Sequence, residues 1–356
     1  MPVSLKPLAE QVVLITGATS GIGLSTAERA AAAGARVVLV ARNEEALHAI
    51  ADGIAERGGD ALPVMADVAR AREVEHAAEV APSRYGRIDT WVNNAGVAVY
   101  GTAEEVSLAD HRRVFDVNYW GVVHGSLAAV KAMRERGGAI VNLGSILSDM
   151  TVVLQAPYCA TKHAVKAFTN TLRLELEAEG VPISVTLIKP SAIDTPFFEH
   201  ARSYLDEPGI RNPPPAYDSE LVADAILFAA EHPRRTLSVG FGGFATSLLA
   251  THFPRLTDKL IESTGFAMQV TDEPGRPARR DNLYAPREDG ARRSALPGGR
   301  RETSLFLEAQ KRPLAVAAAL AGLGAGIVGL LASRRRAPSE EARLARREGL
   351  ARVAGV

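Results

Sequence analysis

Residues 16–23 read TGATSGIG and directly follow an apolar run, Val12–Thr16, that is typical of a buried strand. In this stretch Gly17 allows a tight turn from strand to helix, Gly21 permits close approach of a phosphate to the backbone, and Gly23 lets the helix pack against the sheet. The helix that begins here offers free N–H groups and the positive end of its dipole to a pyrophosphate. A glycine cluster alone could be an ordinary turn, but a strand before it and a helix after it favour a dinucleotide-binding turn.

The same alternation of strand and helix continues from residue 11 to about residue 240, where short β-branched runs are separated by alanine-rich helical stretches. Most of these runs are continuously apolar, as parallel strands buried on both faces are. The pattern predicts an α/β fold, a Rossmann-type doubly wound parallel sheet in three layers, α/β/α. The predicted strands are Val12–Thr16, Arg36–Val40, Leu62–Met65, Thr90–Asn93, Ala139–Leu143, Ile183–Ile188 and Leu237–Val239.

The composition is that of an ordinary globular protein, with 356 residues of which 47% are apolar and 23% are charged. The formal net charge is zero, yet residues 271–356 hold more Arg and Lys than Asp and Glu, so this part is basic and the remainder mildly acidic. The single cysteine, Cys159, excludes an intrachain disulfide and favours a reducing compartment. The first ten residues lack the apolar run of a secretory signal, so we expect a cytoplasmic body.

The character of the sequence changes after about residue 268, where a stretch rich in Pro, Gly and Arg begins. Such a stretch, with little periodicity and few apolar residues, predicts an extended arm or linker. We therefore expect four segments: a folded domain at 1–270, an arm at 271–312, a transmembrane helix at 313–332 and a basic tail at 333–356.

The expected transmembrane helix reads PLAVAAALAGLGAGIVGLLA and carries no charge. As a helix these residues, 313–332, would be about 30 Å long, which is close to the thickness of the hydrocarbon core. Lys311 and Arg312 precede it and Arg334–Arg336 follow it, as interfacial anchors would. The alternative is a buried alanine-rich helix or a flexible low-complexity tail, because Ala and Gly insert weakly.

The end of the second predicted strand indicates which dinucleotide the turn would bind. Sites of this design that bind NAD place an acidic residue there, which accepts a hydrogen bond from the ribose 2′-hydroxyl. Here the sequence reads VLVARNEE, with Ala41 followed by Arg42. A guanidinium suits the 2′-phosphate of NADP, so NADP (NADPH) is favoured and NAD stays possible. The alternative is that Arg42 is a solvated residue at the end of a strand.

Polar residues also follow the third and fourth predicted strands. Asp67 and Val68 could hydrogen-bond an adenine ring through a carboxylate and a backbone amide. The asparagines of NNAG, residues 93–96, could tie neighbouring strands and loops together. Both stretches could equally be turn chemistry, since Asp, Asn and Gly are common turn residues.

Taken in order, these motifs and those that follow them resemble the classical short-chain dehydrogenase/reductase family over roughly residues 8–240. The resemblance rests on TGxxxGxG at 16–23, Asp67, NNAG at 93–96, Asn118 in DVNYWG, Ser145 in NLGSI, Tyr158-x-x-x-Lys162, and KPSAIDTP at 189–196. It implies an oxidoreductase that transfers a hydride between a nicotinamide cofactor and a carbonyl or alcohol. It also implies that the cofactor contacts Gly17, Thr19, Ser20, Gly21, Ile22, Gly23, Arg42, Asp67, Val68, Asn94, Ala95, Gly96, Tyr158, Lys162, Pro190, Ile193 and Thr195.

The resemblance further implies a catalytic group of Asn118, Ser145, Tyr158 and Lys162. Tyr158 would be the general acid/base, and Lys162 would lower the pKa of the phenol towards neutrality and hold the nicotinamide ribose. Ser145 would hydrogen-bond the substrate oxygen. Asn118 would hold a water that links Lys162 to solvent.

One segment departs from the pattern of the family, which often reads PGxxxT where this chain has Pro190 followed by Ser191. A serine in place of glycine puts the local backbone geometry in question. Ile193 would still offer its backbone, and Thr195 its hydroxyl, to the nicotinamide carboxamide. Alternatively, Thr195 is a helix N-cap with Pro196 at the first helical position, and both roles can coexist.

The expected partners follow from these interpretations. We expect a small and hydrophobic carbonyl or alcohol substrate, a homodimer or homotetramer, and a membrane anchor on an otherwise cytoplasmic catalytic domain. The histidines show no ligand-like spacing, so no metal site is predicted, and the basic tail lacks the aromatic residues of a nucleic-acid module. The alternative function is a cofactor-binding sensor without turnover, or a membrane-tethered scaffold.

Overall fold

A parallel seven-stranded sheet forms the centre of the structure, a computed structural model that describes residues 3–205, 209–270, 281–287, 289–295, 299–318, 321 and 344–345. The strands lie in the order β3-β2-β1-β4-β5-β6-β7, so the chain reverses direction across the sheet between β1 and β4. Their bounds are β1 Val12–Thr16, β2 Arg36–Ala41, β3 Asp60–Met65, β4 Thr90–Asn93, β5 Gly138–Leu143, β6 Ile183–Pro190 and β7 Thr236–Val239.

Helices cover both faces of this sheet. Their bounds are α1 Gly21–Ala32, α2 Glu44–Glu56, α3 Ala71–Tyr85, α4 Leu108–Phe115, α5 Gly121–Met133, α6 Ala156–Ala178, α7 Phe197–His200, α8 Ser219–Glu231, α9 Phe241–His252, α10 Pro254–Gln269 and α11 Leu305–Lys311. Helices α1, α2 and α8 pack on one face through residues such as Ala27, Leu47 and Ile226. Helices α3, α5 and α6 pack on the other face through Val74 and Met133 among others.

The strands are continuously apolar because each lies between these two helical layers. All five residues of β1 are buried, and Val13 and Leu14 belong to the cores on opposite faces. Alternate residues of a strand point to opposite faces, so a strand covered on both sides has no polar face. The predicted doubly wound parallel sheet in three layers is therefore confirmed, with the seven predicted strands within two residues of their observed ends.

Beyond residue 190 the structure contains elements that the sequence pattern did not predict. Ile193–Asp194, Ala216–Asp218 and Arg300–Arg301 form a small parallel sheet, so part of the predicted arm pairs with the body. Two side chains of the arm, Leu283 and Leu307, are fully buried. Leu283 and Leu307 therefore anchor parts of the arm in the apolar cores.

By contact the chain divides into two compact units, Met1–Leu307 and Glu308–Val356, and the four segment boundaries drawn from the sequence stay predictions. Most of the expected transmembrane helix at 313–332 and most of the tail at 333–356 lie outside the described residues. In the part of the chain that is described, no helix has the length and apolar character that crossing a membrane requires.

Candidate active site

The glycine-rich turn lies at the carboxyl ends of β1 and β4, where loops diverge and open sheets form their binding crevice. Gly17 has a φ of +66°, and a Cβ there would approach the Cα of Ala95 to 2.8 Å. A Cβ at Gly23 would lie 2.0 Å from the carbonyl oxygen of Gly17. Only glycine fits at either position, so the turn forms a cradle of bare backbone at the start of α1.

The NNAG stretch fastens this turn to β4. The Asn94 side-chain amide donates to the carbonyl oxygens of Thr16 and Gly17 at 2.9 and 3.1 Å. The Thr16 hydroxyl in turn accepts from the backbone N–H groups of Asn94 and Ala95 at 3.0 and 3.1 Å. Asn93 donates to the side-chain oxygen of Asn142 on β5 at 2.8 Å. The prediction that these asparagines tie strands and loops together is confirmed.

The segment after β6 closes the crevice from the other side. A Cβ at Gly21 would meet the side chain of Thr195 at 3.1 Å, so the glycine turn and this segment are in close contact. Ser191, which departs from the family pattern, faces Gly243 of α9, where a Cβ would lie 2.5 Å from the serine hydroxyl. The missing glycine at residue 191 is therefore offset by a glycine opposite it.

The alternative interpretation of Thr195 as a helix N-cap is wrong. The short helix α7 begins at Phe197, its N-cap position is Pro196, and no side chain caps it. The reason is geometric, since Thr195 is buried against Gly21 rather than turned towards the backbone of α7.

Ser145, Tyr158 and Lys162 come together on one wall of a cavity. Ser145 follows β5 and begins a short 3-10 turn, in which its side-chain oxygen accepts from the Leu147 N–H at 3.1 Å. Tyr158 and Lys162 lie one turn apart on α6, and the Lys162 Nζ is 5.5 Å from the centroid of the tyrosine ring. The ammonium donates to the carbonyl oxygen of Leu143 at 2.8 Å. The spacing seen in the sequence therefore corresponds to a shared site.

Burial controls the protonation of this group. Burial raises the pKa of Tyr158, and a hydrogen bond with Ser145 opposes that rise only in part. Burial also lowers the pKa of Lys162 to about 8. In this structure the net shift of the Tyr158 pKa is upward, because desolvation outweighs the hydrogen bond with Ser145, and the role expected of Lys162 stays a prediction. At neutral pH the tyrosine is therefore a neutral phenol beside a mostly protonated lysine.

Asn118 lies in a π-helical turn, Asp116–Trp120, between α4 and α5. Its side-chain oxygen accepts from the Val97 N–H at 2.8 Å, and its amide donates to the Val97 carbonyl at 2.9 Å and to the Thr161 hydroxyl at 3.3 Å. Turns of this kind are frequent at functional sites. Asn118 thus links the loop after β4 to the residue that precedes Lys162.

The main cavity has a volume of about 720 Å³, within the range of cofactor and ligand pockets. One wall carries predicted site residues: Gly17, Ser20, Gly21, Ile22, Asn94, Ala95, Gly96, Ser145, Tyr158, Lys162, Pro190, Ile193 and Thr195. The far wall is apolar and is built partly by α10, which supplies Leu260, Ile261 and Met268. Sequence reasoning missed α10 because no motif marks it, although its apolar periodicity was visible.

A second cavity, of about 90 Å³, lies at the ends of β2 and β3 and is lined by the predicted residues Thr19, Arg42, Asp67 and Val68. The Asp67 carboxylate accepts hydrogen bonds from Arg113 at 2.7 Å and from the Ala69 N–H at 3.0 Å. Burial alone would raise the pKa of this carboxyl, but these hydrogen bonds outweigh it and the pKa is lowered. Gly23 and Asn118 line neither cavity.

Residues of the arm, namely Asn282, Pro286, Arg287 and Asp289, also line this second cavity. Sequence reasoning missed them because they lie more than 200 positions from the strands they contact. No group of three or more His, Cys, Asp or Glu side chains with metal-binding geometry occurs within the described ranges.

The chain is similar to known proteins over most of its length. The family described as "short chain dehydrogenase" matches residues 11–205. The chain is 46% identical to the uncharacterized oxidoreductase YxnA of Bacillus subtilis (strain 168) over 321 residues, which cover 90% of this chain and 90% of the relative.

Two solved structures bear on the cofactor. A short chain dehydrogenase/reductase from Burkholderia phymatum in complex with NAD has a TM-score of 0.64 and 27% identity, covering 71% of this chain and 96% of that one. An alcohol dehydrogenase from the archaeon Thermococcus sibiricus complexed with 5-hydroxy-NADP has a TM-score of 0.57 and 26% identity, covering 64% and 95%. One neighbour holds NAD and the other a derivative of NADP, so they do not decide between the two for this chain.

Proposed function

The chain belongs to the short chain dehydrogenase family of oxidoreductases, and on that premise we propose that it interconverts a carbonyl and an alcohol by hydride transfer with a nicotinamide cofactor. The observation that carries the proposal is the shared cavity of Ser145, Tyr158 and Lys162, which continues to the glycine-rich turn. A proton donor and a cradle for a dinucleotide thus face the same space of about 720 Å³.

The residues present fit such a cofactor. A Cβ at Gly23 would collide with the turn, and one guanidinium nitrogen of Arg42, Nη1, is buried without a hydrogen-bond partner. The turn at Gly17–Gly23 would hold the pyrophosphate, and Ile193 and Thr195 would hold the carboxamide. When bound, the cofactor gives or takes the hydride. Arg42 supports NADP, because a guanidinium with one unpartnered nitrogen, Nη1, suits a 2′-phosphate, with NAD possible.

The chain's own groups carry the proton. In the direction of reduction, Tyr158 starts as a neutral phenol, since burial raises its pKa, and donates its proton to the carbonyl oxygen. Ser145 donates a hydrogen bond to the same oxygen and so orients it. The phenolate that forms is stabilised by the nearby Lys162 ammonium, whose Nζ is 5.5 Å from the ring centroid. Asn118 positions α6 through Thr161.

The substrate proposed is a small carbonyl compound or alcohol with an apolar body. Tyr158 packs against Phe197 in a tilted arrangement with 5.6 Å between ring centroids, and Phe197 in turn packs edge-on against Phe198. Leu147 and Met150 line the same cavity from the turn after β5. An apolar wall on this scale favours burial of hydrocarbon rather than of a charged group.

A turnover screen of the purified full chain tests the function. NADPH and NADH oxidation is followed with aliphatic, aromatic, steroid and acyl-chain carbonyls, for the natural chain and for Tyr158→Phe. We expect turnover of an apolar carbonyl that Tyr158→Phe lowers about 10²–10⁴-fold while cofactor affinity is kept. Tight cofactor binding with no turnover on the whole panel would instead support the non-catalytic sensor.

Self-association is a further part of the proposal. Leu127 on α5 and Leu174 on α6 are exposed, and so is Trp120, which directly precedes α5. These exposed apolar side chains suit pairing with a second copy of the chain. Light scattering should give a dimer or tetramer. A monomeric mass across the micromolar range would refute this part.

Membrane association through residues 313–332 is likewise a proposal, supported by the uncharged sequence between basic flanks. Recovery in the membrane fraction should be lost when residues 311–356 are deleted, with turnover unchanged. Equal recovery of both forms in the soluble fraction would refute it.

A further inference from the structure

We call residues 281–287 and 289–295 the docked segment, which contacts the glycine-rich turn through Asp289, Gly290 and Ala291. The Gly21 N–H donates to the carbonyl oxygen of Ala291 at 2.9 Å, and the Gly290 N–H donates to the carbonyl oxygen of Thr19 at 2.8 Å. The Thr19 hydroxyl donates to a carboxylate oxygen of Asp289 at 2.8 Å. The segment therefore meets the cofactor site at the turn expected to hold its phosphates.

The docked segment is held firmly enough to place its side chains. Leu283 is fully buried in the core on one face of the sheet. Arg113 Nε donates to the carbonyl oxygen of Leu283 at 2.9 Å, and Asn43 at the start of α2 donates to the carbonyl oxygen of Arg287 at 2.7 Å. Asp289 therefore occupies a defined position beside Thr19.

The charged side chains around the second cavity differ in the contacts that they already make. Asp67 is engaged by Arg113, and the Arg287 guanidinium donates to the carbonyl oxygen of Glu199 at 3.1 Å. Asp289 accepts a hydrogen bond from the neutral Thr19 hydroxyl, and its negative charge acts on Arg42 across the cavity. Arg42 shares the cavity, and although burial lowers its pKa, the negative charges of Asp67 and Asp289 oppose that fall. A cation and a carboxylate thus face one subsite.

We propose that Asp289 is a selectivity residue of the cofactor site, which favours a free 2′-hydroxyl and disfavours a 2′-phosphate on the adenosine ribose. This inference rests on the proposed function. The strand end at Ala41–Arg42 lacks the acidic residue that binds the ribose hydroxyl in NAD sites, and the docked segment returns a carboxylate to the same cavity. Arg42 therefore favours NADP, whereas Asp289 favours NAD.

Charge, rather than the backbone of the docked segment, makes the discrimination. The Ala291 carbonyl has to leave the Gly21 N–H before any pyrophosphate can use that donor, and this exchange is the same for both dinucleotides. A carboxylate, in contrast, accepts a hydrogen bond from a hydroxyl and repels a phosphate. The side chain of Asp289, unlike this backbone exchange, therefore distinguishes the two cofactors.

Equilibrium binding of NADPH and NADH to the full chain, followed by the fluorescence of the nicotinamide, tests the inference. Asp289→Asn removes the charge and keeps an oxygen that can accept from Thr19. We expect it to tighten NADPH relative to NADH by about tenfold, which corresponds to 1.4 kcal/mol. Arg42→Gln should shift the ratio in the opposite direction.

The matched control is Asp281→Asn in the same segment, because Asp281 pairs with Arg202 and lines neither cavity. We expect no change of the ratio in this variant. An unchanged ratio in Asp289→Asn, or an equal gain for both cofactors, would overturn the inference while leaving the proposed function intact. Failure of the natural chain to bind either dinucleotide would refute the proposed function itself.

Discussion

The two ends of the crevice are built in different ways. At the catalytic end, Ser145, Tyr158 and Lys162 come from the end of β5 and one helix that follows it within about twenty residues. At the other end, here called the adenosine end because we propose that the adenosine of the cofactor binds there, Arg42 donates to the carbonyl oxygen of Asn282, a residue 240 positions further along the chain. One end is local in sequence, and the other is closed by a distant segment.

Because of this difference, substitutions at the two ends should affect different properties of the enzyme. The catalytic group depends on helical spacing and on a turn, so a change there alters the chemistry directly. The adenosine end is shared between a strand end and the docked segment, so its selectivity can change without touching the residues that carry the proton. Substitutions at the two ends should therefore separate turnover from cofactor choice.

Among the substitutions that compare the two ends, the largest effect is expected from Ser145→Ala at the catalytic end. It removes the hydroxyl that hydrogen-bonds Tyr158 and would orient the substrate oxygen. We expect kcat/KM to fall about 10²–10³-fold with cofactor affinity unchanged. The matched control is Ser148→Ala in the same turn, whose hydroxyl accepts from the Ser145 N–H at 3.2 Å. A similar loss in both variants would assign the effect to the shape of the turn instead.

The glycine cradle joins the two ends, and Gly23→Ala should damage both. The added Cβ would lie 2.0 Å from the Gly17 carbonyl, so the turn has to move. We expect urea unfolding to show a loss of about 3 kcal/mol in stability, together with weaker binding of either cofactor. Gly53→Ala in α2 is the control: its Cβ would meet only the Arg57 side chain, at 3.6 Å, and it should be neutral or stabilising. Equal stability of the two variants would contradict the close approach at Gly23.

The same division explains what the sequence could predict. The seven strands and the glycine cradle followed from continuous apolar runs and from positions where a Cβ has no room, both of which are local properties. The grouping of Tyr158 with Lys162 followed from helical spacing. The docked segment could not be predicted, because its bonds to the Thr19 carbonyl and the Gly21 N–H are made by backbone groups that leave no pattern in sequence. Its side-chain bond, from Thr19 to Asp289, joins residues 270 positions apart. The raised pKa of Tyr158 was missed because its main cause, burial of the side chain, cannot be read from the spacing of Tyr158 and Lys162.

At the adenosine end, Leu283→Ala should loosen the docked segment. The side chain is fully buried, and its truncation should lower the free energy of unfolding by about 2–3 kcal/mol. Cofactor affinity should change, while kcat at saturating cofactor stays within a few-fold of the natural chain. Leu305→Ala, at a leucine that is 87% exposed, is the control and should change neither. If kcat fell as far as in Ser145→Ala, the two ends would not be separable.

The smallest expected effect is the contribution of the Lys162 charge to the free energy of unfolding. This contribution depends on pH at the catalytic end but not at the adenosine end. Burial lowers the pKa of Lys162 in the folded chain to about 8, which is below its value in the unfolded chain. Between these two pKa values the unfolded chain therefore binds more protons than the folded chain does. Stability from this group therefore rises with pH. We expect the natural chain to gain on the order of 2 kcal/mol relative to Lys162→Met between pH 7 and 9.5, measured by urea unfolding. Tyr158 and Cys159 are present in both proteins, so their contributions cancel.

The matched variant at the other end, Arg42→Met, should show no such pH dependence, because a guanidinium stays protonated throughout this range. A flat difference for Lys162→Met would mean that the buried ammonium is stabilised by its hydrogen bond to Leu143 as well as it is by water.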